Sequence, residues 1–107
     1  MVERYIAVVM DDDGLQFCWD NSKAASNLDK HDVSFEAATY VFDDPMRLER
    51  DDVFAEREYR NVVTGWVDDT LLTVVYSSPE NNLCRIISAR PATVRERNDY
   101  EQNSLHP

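Results

Sequence analysis

Residues 59–89 read YRNVVTGWVDDTLLTVVYSSPENNLCRIISA, and the architecture is built around this stretch. Tyr59 to Val67 is rich in β-forming residues, and Asp68-Asp69 breaks the run. Thr70 to Ser77 resumes it with Leu71, Leu72, Val74, Val75 and Tyr76. Pro79-Glu80-Asn81-Asn82 then turns the chain into Leu83 to Ala89. Three strand-like runs joined by short polar turns predict a meander. The near-continuous apolar run of the second strand suits a central position covered on both faces.

Downstream, Thr93-Val94-Arg95-Glu96 is a capping box that starts a terminal helix, and residues 102–107 read as a frayed tail. Upstream, residues 43–58 carry seven acids and three arginines with no clear period, which predicts a mobile loop. Asp44-Pro45 ends a helix that starts at Ser34, with Phe35, Ala38, Val41 and Phe42 at helical spacing. Asp20 caps an earlier helix over 21–30, with Ala24, Ala25 and Leu28 on one face. Tyr5 to Met10 and Leu15 to Trp19 form a hairpin around Asp11-Asp12-Asp13-Gly14. The Asp triplet lacks the spaced acids and distal Glu of a calcium loop and reads as a solvated turn. The expectation is one α+β domain over 1–107, with an antiparallel sheet, two N-terminal helices and a C-terminal helix.

The chain holds 107 residues, 43% of them apolar, enough for one modest core. It has no run of 18 apolar residues, so no conventional membrane-spanning helix is expected. The apolar stretch after Arg4 is too short and too quickly followed by aspartates to be a signal peptide. Cys18 and Cys84 have no metal-ligand spacing and read as reduced thiols, and the cytoplasm is the expected compartment. The net charge of −10 argues against nucleic-acid binding, but it is unevenly spread. Residues 1–69 hold 7 Lys and Arg against 17 Asp and Glu, whereas residues 70–107 hold 4 against 4. Within 83–97, Arg85, Arg90, Arg95 and Arg97 face one acid, Glu96. The chain is acidic with a local basic patch, and its acidic remainder suits a basic protein partner.

Two long ordered blocks stand out in the sequence. The first runs from Phe17 to Ala38 and includes Trp19-Asp20, Lys23, Asn27, Lys30-His31-Asp32-Val33-Ser34-Phe35-Glu36. The second runs from Arg85 to Tyr100 and includes Arg85-Ile86-Ile87-Ser88-Ala89-Arg90, Ala92-Thr93, Glu96-Arg97 and Tyr100. Between them Arg60 precedes Gly65 by five residues, and these features together resemble the BrnT family of toxins, whose strand arginine precedes its glycine in the same way. The resemblance implies a RelE-like fold and ribonuclease activity that arrests translation, with no cofactor. It also implies neutralisation by a BrnA-like antitoxin that dimerises, binds DNA and forms a heterotetramer with the toxin. Four features depart from the family pattern. Asp32 replaces a glycine, Ala37 replaces a glutamate, Ala55-Glu56 stand where relatives carry His-Ser, and residues 1–16 add an N-terminal hairpin segment.

RNA is cut without metal when its 2′-OH attacks the adjacent phosphate. This needs a base, cations on the phosphorane oxygens and an acid for the leaving oxygen. The candidate catalytic residues are His31, Arg60, Arg90 and Tyr100. The candidate RNA-binding residues are Lys23, Lys30, Arg85 and Arg97, and no metal ligand set is evident. Alternatives stand beside each. His31 also suits a helix C-terminus favoured by the macrodipole. Lys23 and Lys30 share a helix face that is equally well a solvated one. Arg85 within an apolar strand suits a buried ion pair with Asp20 or Glu36. Tyr100 suits a core anchor, and Trp19 and Trp66 suit packing, with base stacking open to an exposed Trp66. The leading reading is a metal-independent endoribonuclease toxin. The alternative is a catalytically weak or silent BrnT-like protein that acts by binding a protein.

Overall fold

The computed structural model describes residues 5–10, 14–51 and 60–105. In chain order they form β1 (Tyr5–Met10), β2 (Gln16–Asp20), α1 (Asn21–His31) and α2 (Phe35–Thr39), which continues as a 3-10 turn (Tyr40–Asp43). Then come β3 (Leu48–Asp51), β4 (Asn61–Val67), β5 (Thr70–Glu80), β6 (Leu83–Pro91) and α3 (Val94–Leu105). One six-stranded sheet runs β1-β2-β6-β5-β4-β3. The expected meander is its centre: β4 and β5 pair antiparallel from Asn61–Tyr76 to Val67–Thr70, and β5 and β6 from Leu72–Pro91 to Glu80–Leu83. Its turns use Asp68 and Asn82 at φ 53° and 62°, left-handed positions that short polar side chains tolerate. No helix among the described residues is long and apolar enough to cross a membrane.

Three expectations need correction. The sheet is mixed, not antiparallel, because β2 lies parallel to β6 with Phe17 beside Cys84 and Cys18 beside Arg85. Hairpin turns fix pairing within a hairpin, whereas its docking edge depends on which distant strand offers a matching apolar face. Here Phe17 and Trp19 join Cys84, Ile86 and Ala89 in one core.

The two N-terminal helices are the second inexact expectation, for they follow the hairpin and the second is short. Ser34 caps α2 by accepting from the Ala37 N–H at 3.0 Å, yet α-helical geometry stops at Thr39 and tightens into the 3-10 turn. That turn lays Val41 against Gly65, where a Cβ would sit 3.0 Å from Val41 Cγ1 and 3.1 Å from the Val41 carbonyl oxygen. It also brings the Phe42 ring within 5.2 Å of Phe17 and 5.0 Å of Tyr76, so tertiary packing overrides the local helical period.

The third concerns the loop at 43–58. Leu48–Asp51 pairs with β4 as an edge strand, where charged side chains are at home, and residues 52–58 lie outside the described residues. The Ala55-Glu56 departure also falls there.

The helix starts follow the sequence closely. Asp20 caps α1 by accepting from the Ser22 N–H at 2.8 Å, and Asp32 closes it at φ 56°, so the missing glycine is tolerated. α1 and α2 cover one face of the sheet, with Phe35 and Ala38 of α2 in one core with Val63, Val74, Ile86 and Ala89 of the strands. Cys18 and Cys84 are free and buried, one residue out of step across the β2–β6 pair and therefore on opposite faces. α3 packs on the second face and continues to Leu105, into the segment expected to fray.

Candidate nucleic-acid interface

Residues directly opposite one another on neighbouring strands share a face of the sheet. Thr64, Thr73 and Arg90 form one such row, Val62, Val75 and Ser88 a second, and Ser77, Arg85 and Cys18 a third. All three lie opposite the α1–α2 core. The edge strand adds Leu48 beside Thr64 and Arg50 beside Val62. Asn61 pairs with Tyr76, so Arg60, one residue earlier, falls level with Ser77 on this same face. Arg50 of β3, Arg85 and Arg90 of β6, and Arg60 at the entry to β4 therefore fall on one side of the sheet. Burial pushes the Cys18 thiol up and the charge of Arg85 pulls it partly back, as expected for neighbours on that face.

α3 begins at this face, and its capping box has a second use. The Glu96 N–H donates to Thr93 Oγ at 3.1 Å, and the Thr93 N–H donates back to Glu96 Oε1 at 2.9 Å. The same carboxylate accepts from Arg90 at 2.6 and 3.0 Å and from Arg50 at 2.9 Å. Burial alone would raise the Glu96 pKa. The Arg90 and Thr93 hydrogen bonds, the Arg90 charge and a bond from Thr73 outweigh it and hold the carboxyl at about 2. The Glu96 side chain is 7% exposed, whereas Arg90 and Arg50 remain 36% and 41% exposed. Two guanidinia thus share one buried carboxylate and keep an open side toward solvent, leaving the cluster net positive.

One turn further on, the Tyr100 hydroxyl donates to Asp44 Oδ2 at 2.7 Å, and the Trp66 N–H donates to the same oxygen at 2.9 Å. Burial tends to raise Asp44. The bonds from Trp66, Tyr100 and Met46 and the charge of Arg47 more than offset it, so the carboxyl sits below its usual range. Burial and the Asp44 bond push Tyr100 up to about 12. The Trp66 ring meets Tyr100 edge-on at 6.5 Å and carries the Arg97 guanidinium 5.2 Å from its centre.

The sequence-derived candidates therefore divide. Arg60, Arg85 and Arg90 share a face. Arg97 and Tyr100 flank it on α3, with Tyr100 buried and engaged by Asp44. Lys23, Lys30 and His31 are exposed on α1, which packs on the opposite face, so the fold does not bring them to the arginines. His31 ends α1 beside the Asp32 cap. Sequence reasoning missed Arg50, hidden in what read as a loop, and missed that Glu96 is a counter-ion as well as a cap. It also missed Asn27, whose carboxamide bonds both backbone groups of Ala89. Among the described residues, no three His, Cys, Asp or Glu side chains gather as a metal ligand set.

Comparison with known proteins agrees with the family resemblance. Residues 19–96 match the family described as ribonuclease toxin, BrnT, of type II toxin–antitoxin system. The crystal structure of the Brucella abortus ribonuclease toxin BrnT is similar in fold, with a TM-score of 0.51 at 20% identity, over 70% of this chain and 92% of that one. No curated protein matches the sequence. With the family match spanning most of the chain and both sequence blocks folded into one α+β unit, this protein belongs to the BrnT family of ribonuclease toxins from type II toxin–antitoxin systems.

Proposed function

We propose that this BrnT-family chain is a metal-independent endoribonuclease of RelE-like type that arrests translation. A BrnA-like DNA-binding antitoxin holds it in check, as a heterotetramer with the antitoxin dimer. The observation that carries this reading is the gathering of Arg60, Arg85 and Arg90, joined by Arg50, on one face of an otherwise acidic molecule. Guanidinia present paired donors that match phosphate oxygens, and they stabilise the charge that grows on a phosphorane as the 2′-OH attacks. Arg90 and Arg50 are oriented by Glu96, so their open sides are fixed before RNA arrives. Tyr100 then serves as a positioning residue that pins α3 through Asp44, and His31, Lys23 and Lys30 serve the α1 surface.

One observation favours the second reading, a weak or silent toxin that acts by binding protein. Phosphate reaching Arg90 must compete with a carboxylate already held at 2.6 Å. The two readings part in a cleavage assay. Purified protein is expected to fragment RNA equally with and without chelator. Arg85→Ala and Arg90→Ala should each slow cleavage by a factor of roughly 30–1,000, on the scale of a lost transition-state donor. Circular dichroism should show these variants folded. Intact wild type that binds its antitoxin yet leaves RNA uncut would establish the silent binder.

A further inference from the structure

At the turn between β4 and β5, the end of the sheet away from Arg60 and Arg85, two cavities adjoin. One, of about 590 Å³, is lined by Tyr40, Asp43, Asp44, Trp66, Val67 and Asp68. The other, of about 320 Å³, shares Val67 and Asp68 and adds Leu28, Val33 and Leu72 with Asp32 and Asp69. Side by side they offer a groove with an apolar floor and five aspartates; no lysine or arginine lines either cavity, and the Arg97 guanidinium rests 5.2 Å from the Trp66 ring centre at one side. Its floor includes Tyr40, Leu28 and Trp66, which are 60%, 48% and 36% exposed and are the large apolar side chains a docking partner would cover. Asp44 is committed to Tyr100, Trp66 and Met46, while Asp32, Asp43 and Asp68 are exposed at the rim.

We propose that this groove is the docking site for a basic, apolar-anchored segment of a protein partner, which in the reading above is the antitoxin. The charge pattern selects the occupant. Carboxylates in this number repel RNA phosphate, and they do not gather as a metal ligand set, whereas a guanidinium or ammonium set between Asp43 and Asp68 and against the Tyr40 ring gains both ion pairing and cation–π attraction. The floor formed by Leu28, Val33 and Leu72 takes an apolar anchor one or two turns along the same segment. Asp68 and Arg60 lie at opposite ends of β4, eight residues or roughly 26 Å apart at strand rise, so the groove stands clear of the Arg60–Arg85 row. The inference rests on the proposed toxin–antitoxin reading only for the identity of the partner, and its test does not depend on ribonuclease activity.

Trp66 provides the signal, since it lines the groove while the other tryptophan, Trp19, is buried at 2% exposure. Full-length protein is titrated with a synthetic 16-residue amphipathic peptide of arginine and leucine at helical spacing, and tryptophan emission is followed. Saturable binding is expected, weakened by salt, absent for the same peptide with glutamate in place of arginine, and lowered at least tenfold in Asp43→Asn/Asp68→Asn. Asparagine keeps the left-handed backbone at position 68, so the double variant should fold. RNA cleavage by that variant should equal wild type, and this arm separates failure of the groove from failure of the ribonuclease reading. Equal affinity of wild type and the double variant for the arginine peptide, or no binding at all, would overturn the proposal. So would a 16-nucleotide RNA that gives the same Trp66 response and loses it in the double variant.

Discussion

Asn27 does the work of a missing strand. β2 pairs with β6 only as far as Cys18 beside Arg85, and beyond that point the outward-facing groups of β6 need other partners. The Asn27 carboxamide accepts from the Ala89 N–H at 3.1 Å and donates to the Ala89 carbonyl at 2.8 Å and the Val33 carbonyl at 2.9 Å. One buried side chain thus ties α1 to the sheet and to the start of α2. An aliphatic residue of similar size leaves those backbone groups buried and unpaired, at about 1–3 kcal/mol each before relaxation. Asn27→Leu is therefore expected to destabilise the protein by about 3 kcal/mol, read as a lower urea midpoint at unchanged slope. A midpoint equal to wild type would mean that water or a shifted α1 satisfies Ala89 instead.

The first turn of α3 joins three elements through one carboxylate, since Glu96 holds Arg90 of β6 and Arg50 of β3 while capping its own helix. Its folded pKa of about 2 lies below the ordinary 4.5, so the unfolded chain takes up the proton first as pH falls. The stabilisation is complete above the unfolded pKa and is lost progressively as the pH drops toward about 2. Allowing for the solvent that still reaches both guanidinia, the contribution is about 2 kcal/mol. Wild type is expected to be more stable than Glu96→Gln at about pH 6, with the gap in urea midpoints closing by about pH 2. Parallel curves across that range would show that Glu96 is not the group that couples α3 to the sheet.

Across the whole molecule, charge is segregated. A body of net charge −10 gathers Arg50, Arg60, Arg85 and Arg90 on one sheet face and carries an aspartate-lined groove at the far end of β4. Under the proposed ribonuclease reading, RNA meets an acidic molecule at that face, so its binding should rest on few phosphate contacts and be salt-sensitive. Four contacts, from Arg50, Arg60, Arg85 and Arg90, predict that log K for single-stranded RNA falls with log salt at a slope of about −3. Arg85→Ala should flatten the slope by about 0.7. Fluorescence anisotropy across a salt series checks both, and a slope unchanged in Arg85→Ala would remove that residue from the interface.

By itself the sequence determined what is local. The meander from residue 61 to 89, the caps at Asp20 and Ser34 and the Thr93–Glu96 box were all legible. Each depends on neighbouring residues whose spacing or side-chain chemistry fixes a turn, a cap or an alternation. The tertiary structure alone decided the rest: the parallel pairing of β2 with β6, the 3-10 turn seated on Gly65, the edge strand inside an acidic segment and the split of the candidate residues between two faces. These depend on contacts between residues tens of positions apart, where the burial of one apolar face outweighs local propensity. A one-residue step in strand pairing also sends a side chain to the opposite face, so no sequence spacing could place Arg85 and Arg90 away from His31.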